Sequence, residues 1–197
     1  MIAALRRRRV TGVATSAILT VGAAVIALAA VLLFAMGRTP WGPSGSPGLW
    51  SGDPWSSQTS QRLADPFTFT HIIHGAVYYW LLWLVARKLP LGLRGVLAVA
   101  LESAWEVFEN TDMIIQRYRV ATISLGYYGD SVLNSVGDML TAALGFTLAA
   151  RLPPRVTVIG CLLIEVILAL RIRDSLFLNI LMLIYPIDAV KHWQLGR

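Results

Sequence analysis

The sequence predicts an all-α, polytopic transmembrane helix bundle of about six spans, with both termini cytoplasmic. Three observations predict it. Of 197 residues, 56% are hydrophobic and only 14% charged, against about a quarter charged in a soluble domain. The apolar residues form long runs parted by short polar or proline-bearing breaks, the pattern of membrane helices. If the spans alternate, eleven of the seventeen Lys and Arg residues fall on the side of the N-terminus, which the positive-inside rule makes cytoplasmic. The net charge of +6 is thus a topology signal. It points to the lipid bilayer as partner and excludes nucleic acid.

Residues 1–12 carry the basic cluster Arg6 to Arg9 and read as a cytoplasmic N-terminus. Residues 13–36 are an unbroken apolar run of 24 residues, longer than the core of a signal peptide, and read as an uncleaved first span. Residues 37–65 are rich in Gly, Pro and Ser, with Trp41, Trp50 and Trp55. Pro40, Pro43, Pro47 and Pro54 exclude a helix interior there. The expected role is an outer loop resting its tryptophans at the headgroups. The other reading is a lid over a site.

Residues 66–197 read as a five-span membrane domain carrying the polar site. Asp65-Pro66 has the chemistry of a helix start, opening a second span to about Arg87. The third helix runs from Leu91 to Asn110. Thr111 to Gly129 reads as an interfacial connection. Asp130-Ser131 opens the fourth span, to about Ala150, with Asp130 as its expected cap. Ser135, Gly137, Ala142 and Gly145 on it permit close helix approach. Val156 to Leu170 is the fifth run. Ser175 to Ile187 is the sixth, at 13 residues too short for a straight span, so re-entrant or extended by its polar ends.

Polar groups recur at membrane depth, where ionisable residues mark sites or buried seams. Glu102, Glu106 and Glu109 are spaced i, i+4, i+7 and share one helical face. Asp130, Asn134 and Asp138 share a face of the next span. His71 and His74 occupy the first turns of the second span. With alternating spans all fall in the outer half of the bundle. A rise of about 1.5 Å per residue then places His74, Glu106 and Asn134 one turn below His71, Glu109 and Asp130. Asn110, and Glu165 on the fifth span, extend this polar set.

Imidazoles and carboxylates at one depth suit a divalent metal, here zinc, manganese or iron, with His71, His74, Glu102, Glu106 and Asp138 as candidate ligands. A cation also answers the repulsion between adjacent carboxylates. Glu106 and Glu109 are the candidate general bases. Arg117, Arg119, Arg171 and Arg173 would stand above the site, where paired arginines can hold an anion. Together these permit a metal-bound water attacking a lipid-linked ester or phosphoester at the outer leaflet. The bland readings are a hydrogen-bonded seam that fixes helix packing and arginines that reach to headgroups.

Three segments, His71-Ile-Ile-His-Gly75, Glu102-Ser-Ala-Trp-Glu-Val-Phe-Glu-Asn110 and Gly126-Tyr-Tyr-Gly-Asp-Ser-Val-Leu-Asn-Ser-Val-Gly-Asp138, resemble those of a family of small alphaproteobacterial inner-membrane proteins of unknown function. The resemblance covers roughly Pro66 to the C-terminus. It implies a multi-pass inner-membrane location and brings no activity, cofactor or catalytic residue. The helices bearing histidine, glutamate and aspartate are also similar, at the level of fold, to VanZ-like membrane proteins, which implies a cell-envelope role.

Overall fold

A computed structural model describes residues 15–196. The basic cluster Arg6 to Arg9, and with it the expected cytoplasmic segment 1–12, lies outside the described residues. Among the described residues there are eight α-helices, and the one β feature is an isolated bridge between Trp50 and Ala64. The helices are α1 (Thr15–Ala35), α2 (Thr68–Val85), α3 (Leu91–Glu109), α4 (Asp112–Ala121), α5 (Val132–Arg151), α6 (Pro154–Ile172), α7 (Leu176–Ile184) and α8 (Asp188–Leu195).

The α2–α5 pair forms the most extensive helix interface. Its closeness comes from two glycines facing each other's partner backbone. A Cβ on Gly75 would lie 1.9 Å from the Ala142 carbonyl oxygen, and one on Gly145 would lie 2.1 Å from that of Ile72. Neither site tolerates a side chain without the helices parting. Below the crossing, Leu82, Ala98 and Phe146 form the buried apolar cluster, with Tyr79 edge-on to Phe146 at 5.5 Å. Helix α3 closes the third side, and α1 lies outside it, with Ile18 against Gly92.

Two helices, α1 and α5, are long and apolar enough to cross a membrane. Helix α1 is exposed along most of its length, and so is α6, where Leu162, Val166 and Leu170 face outward. The nine residues of α7 rise about 13.5 Å, well short of the ~30 Å hydrocarbon core. The chain then turns at Pro186 into α8.

The segment 111–129, expected as an irregular connection, contains the ten-residue helix α4. The fourth expected span also starts differently. Ser131, not Asp130, caps α5, its hydroxyl accepting from Asn134 N.

The loop 37–65 lacks regular structure, as its prolines demand, but it does not merely rest outside the bundle. It docks on the start of α5. Thr39 and Pro40 carbonyls accept from Val132 N and Leu133 N, so the loop satisfies donors that a helix N-terminus leaves open. Asn134 donates to the Arg62 carbonyl at 2.9 Å, and Gln61 to that of Gly129 at 2.8 Å. Gly137 lets the loop lie flat on α5, since a Cβ there would meet Leu63 O at 2.0 Å. Trp41, Trp50 and Trp55 remain exposed. Asp65 caps the entry to α2 through bonds to Phe67 N and Thr68 N, and Thr68 Oγ1 accepts from Asp65 N in return. The α-helix proper begins at Thr68, after a turn through Pro66.

Candidate metal centre and the cavity above it

Helices α2, α3 and α5 bring His71, His74, Glu102, Glu106 and Asp138 together. Every one except His74, which is partly exposed, is buried. The helical spacing explains why: i, i+3 on α2 and i, i+4 on α3 turn each pair toward the same neighbour.

Glu102 lies deepest, with no exposed surface. It is close-bonded to His71 Nδ1, and His74 Nδ1 lies 3.2 and 3.1 Å from its two oxygens. A carboxylate only accepts, so both imidazoles donate through Nδ1, which leaves Nε2 as the nitrogen that a neutral ring would offer to a metal. The two rings pack edge to face at 4.9 Å. Glu106 Oε1 lies 3.6 Å from His71 Nδ1, and Asp138 Oδ2 lies 3.8 Å from His71 Nε2.

Glu106 differs from Glu102. It is 1% exposed, and neither of its oxygens has a hydrogen-bond partner; Asp138 Oδ1 also lacks one. Buried polar atoms in native proteins are nearly always paired. Two triads have ligand atoms within 4.8 Å of one another: His71, His74 and Glu102, and His71, Glu106 and Asp138. The donors are imidazole nitrogen and carboxylate oxygen with no sulfur, a set that fits zinc, manganese or iron.

The centre forms the floor of a cavity of about 890 Å³. Its walls come from α2, α3, α4, α7 and the docked loop, with Trp55, Tyr78, Trp105, Tyr118 and Tyr127 among them. The loop thus lines part of the cavity.

The upper polar residues form a separate shelf. Asp130 accepts from Asn110 Nδ2 at 2.8 Å and from the Tyr127 hydroxyl at 2.9 Å, while its own amide donates to Asn110 Oδ1. Burial pushes the Asp130 carboxyl up, and the Tyr127 and Asn110 bonds oppose that. Glu109 lines the cavity facing the Tyr118 hydroxyl, outside both triads. Asn134 lines the cavity too, while its amide holds the loop.

Other expected members stand elsewhere. Glu165 is not in the cluster: its two oxygens accept from Leu176 N and Phe177 N and cap α7. The arginines do not gather into an anion site. Arg117 donates to the carbonyls of Leu183 and Ile184 at the end of α7, Arg119 to Tyr127 O and Arg173 to Trp193 O. Arg171 is exposed. Three side chains escaped the sequence reading: Tyr118, which meets Glu109 from the next helix, Tyr127, which meets Asp130 across a turn, and Gln61, buried in a loop. The aromatic-acid pairing of the Gly126–Gly129 segment with Asp130 was the one signal available.

The chain matches the family model described as "Protein of unknown function (DUF2585)" over residues 33–196. It is 53% identical over 170 residues to a UPF0314 protein of Paracoccus denitrificans, covering 86% of this chain and 88% of that one. A UPF0314 protein of Brucella anthropi is 44% identical over 88% of each chain, and one of Sphingopyxis alaskensis is 44% identical over 89% of this chain and 94% of its own. No solved structure matches. The glutamate-bearing, histidine-bearing and aspartate-bearing helices all lie within the matched stretch, and the chain belongs to the DUF2585 family.

Proposed function

We propose that this is a multi-pass inner-membrane protein that binds a divalent metal at the floor of a cavity open to the periplasmic leaflet and acts there on a lipid-linked or envelope substrate. The unpartnered Glu106 carboxylate, converging with Asp138 on His71, carries the reading. Two buried acids facing one imidazole are costly without a cation and favourable with one. In this reading His71, Glu106 and Asp138 are the ligands. Glu102 orients both imidazoles, the outer-shell role that carboxylates play for metal-bound histidines. The apolar outward faces of α1 and α6 support the membrane location.

A bound metal would supply an acidified water as nucleophile. With Glu106 engaged as a ligand, Glu109, beside the Tyr118 hydroxyl on the cavity wall, is the remaining candidate base. Metal analysis of the purified protein tests the centre. Stoichiometric zinc, manganese or iron, lost in a His71→Ala, His74→Ala double variant, is expected.

The second reading is a non-catalytic scaffold whose polar seam fixes packing. The shelf of Asn110, Asp130 and Tyr127 favours it, since every one of those groups is bonded within the protein. Metal-free protein, folded only while Glu106 is intact, would be its signature.

A further inference from the structure

The cavity above the metal centre has a one-sided chemistry. Among its lining residues, every buried side-chain atom without a partner is an acceptor: both oxygens of Glu106, Asp138 Oδ1 and Gln61 Oε1. The cavity also borders Asp65, Glu109 and Asp130, and among the described residues no Lys or Arg pairs with any of these carboxylates. Its one arginine, Arg117, donates to the α7 carbonyls instead. A divalent metal neutralises two of the five acids. The rest, with no cationic side chain beside them, are acceptors inside low-dielectric walls, a setting that favours a cation over an anion. The walls carry aromatic pairs, Tyr118 with Tyr127, ring centroids 5.1 Å apart, and Trp105 with Phe108, 6.0 Å apart, and ring faces attract cations. The far wall is the apolar side of α7, through Leu176, Ile180 and Leu183.

We propose that the cavity receives an amphiphile carrying a protonated amine, its ammonium group among Glu109, Gln61 and the aromatic rings and its apolar tail along α7. The inference rests on the reading of the cavity as the substrate site and names the substrate class. It runs against a purely anionic headgroup, for which the cavity offers no free donor cluster. An ammonium N–H is what the unpartnered Gln61 carbonyl and the Glu109 carboxylate can both accept.

The test is calorimetric titration of the purified full chain in a nonionic maltoside detergent, loaded with Mn²⁺, against hexylamine, propylamine, ethanolamine, hexanol and hexyl sulfate. Hexylamine is expected to bind saturably, and hexanol and hexyl sulfate at least tenfold more weakly. Each methylene added from propylamine to hexylamine should tighten binding by about two- to fourfold. Glu109→Gln should weaken hexylamine by about tenfold while Mn²⁺ binding persists as the check on folding, and Trp105→Leu should weaken it several-fold. Hexyl sulfate or hexanol binding as tightly as hexylamine would overturn the proposal, as would both variants binding hexylamine like the wild type. Ethanolamine matching hexylamine would overturn the apolar-tail half and point to a soluble amine. Mn²⁺ bound without hexylamine sinks the ligand class alone, whereas hexylamine bound without Mn²⁺ sinks the metal centre alone.

Discussion

Two sets of buried acids sit within a few turns of each other, and they are treated differently. Asp65, Asp130 and Asp174 are held by bonds within the protein: Asp65 Oδ1 by backbone amides at the start of α2 and Oδ2 by Ser60 N, Asp130 Oδ2 by Asn110 and Tyr127, Asp174 by Ser175 N and the amides of Asn179 and Gln194. Glu106 and Asp138 are just as buried, yet three of their four oxygens have no partner. The first set holds loops and short helices in place. On the proposed function the second is a binding site whose complement comes from outside the chain. A bonded acid and an orphaned one look alike in a sequence, and only the partner tells them apart.

Breaking the bonded set should damage the fold and spare the metal. Asp130→Ala leaves the Asn110 amide and the Tyr127 hydroxyl without their acceptor, a loss on the order of 3 kcal/mol. Denaturant or thermal unfolding in detergent should register it, with metal affinity in the folded fraction unchanged. Disturbing the cluster around the orphaned acids should do the reverse. Glu102→Gln keeps the shape of the side chain but weakens its hold on both imidazoles, and metal affinity should fall by about 10- to 100-fold. A direct metal titration reads this, and an unaltered affinity would remove Glu102 from the centre.

The smallest effect sharpens the comparison through pH. Burial raises Asp174 from its ordinary 3.8 to about 6. Between those values the folded protein holds a proton that the unfolded chain has released. Asp174 therefore favours the fold most below about pH 4, its contribution declines as pH rises through 6, and it is constant above that. Asp174→Asn should flatten the stability profile between pH 4 and 6, measured by unfolding at a series of pH values. A profile unchanged by the substitution would mean that the group titrates normally.

Part of this was legible before any coordinates. The i, i+4, i+7 glutamates, the His71–His74 pair and the Asp130, Asn134, Asp138 face followed from helical periodicity, which survives whatever the helices pack against. The small residues of α5 were equally readable, because close backbone approach requires them. What escaped depends on partners distant in the chain. Helix α4 interleaves Asp112, Gln116, Arg117 and Arg119 with apolar residues over only ten positions, and a helix that short stands through packing rather than propensity. Glu165 read as one more acid at the right depth until α7 was seen to start against it. Asp130 carries the chemistry of a cap, but Ser131 next to it takes that role. The docking of the 37–65 loop rests on carbonyls of Thr39, Pro40 and Arg62, and a backbone carbonyl leaves no trace in residue type.

The central claim is that Glu106 is a ligand awaiting a cation rather than a strut. Thermal unfolding of wild type and Glu106→Gln, metal-free and with Mn²⁺ or Zn²⁺ added, tests it most directly. The account predicts that metal at a hundredfold excess over Kd stabilises the wild type by about 2.7 kcal/mol. It also predicts that Glu106→Gln unfolds no earlier than the metal-free wild type and gains nothing from metal. A wild type indifferent to metal, together with a Glu106→Gln protein that unfolds far earlier, would contradict it.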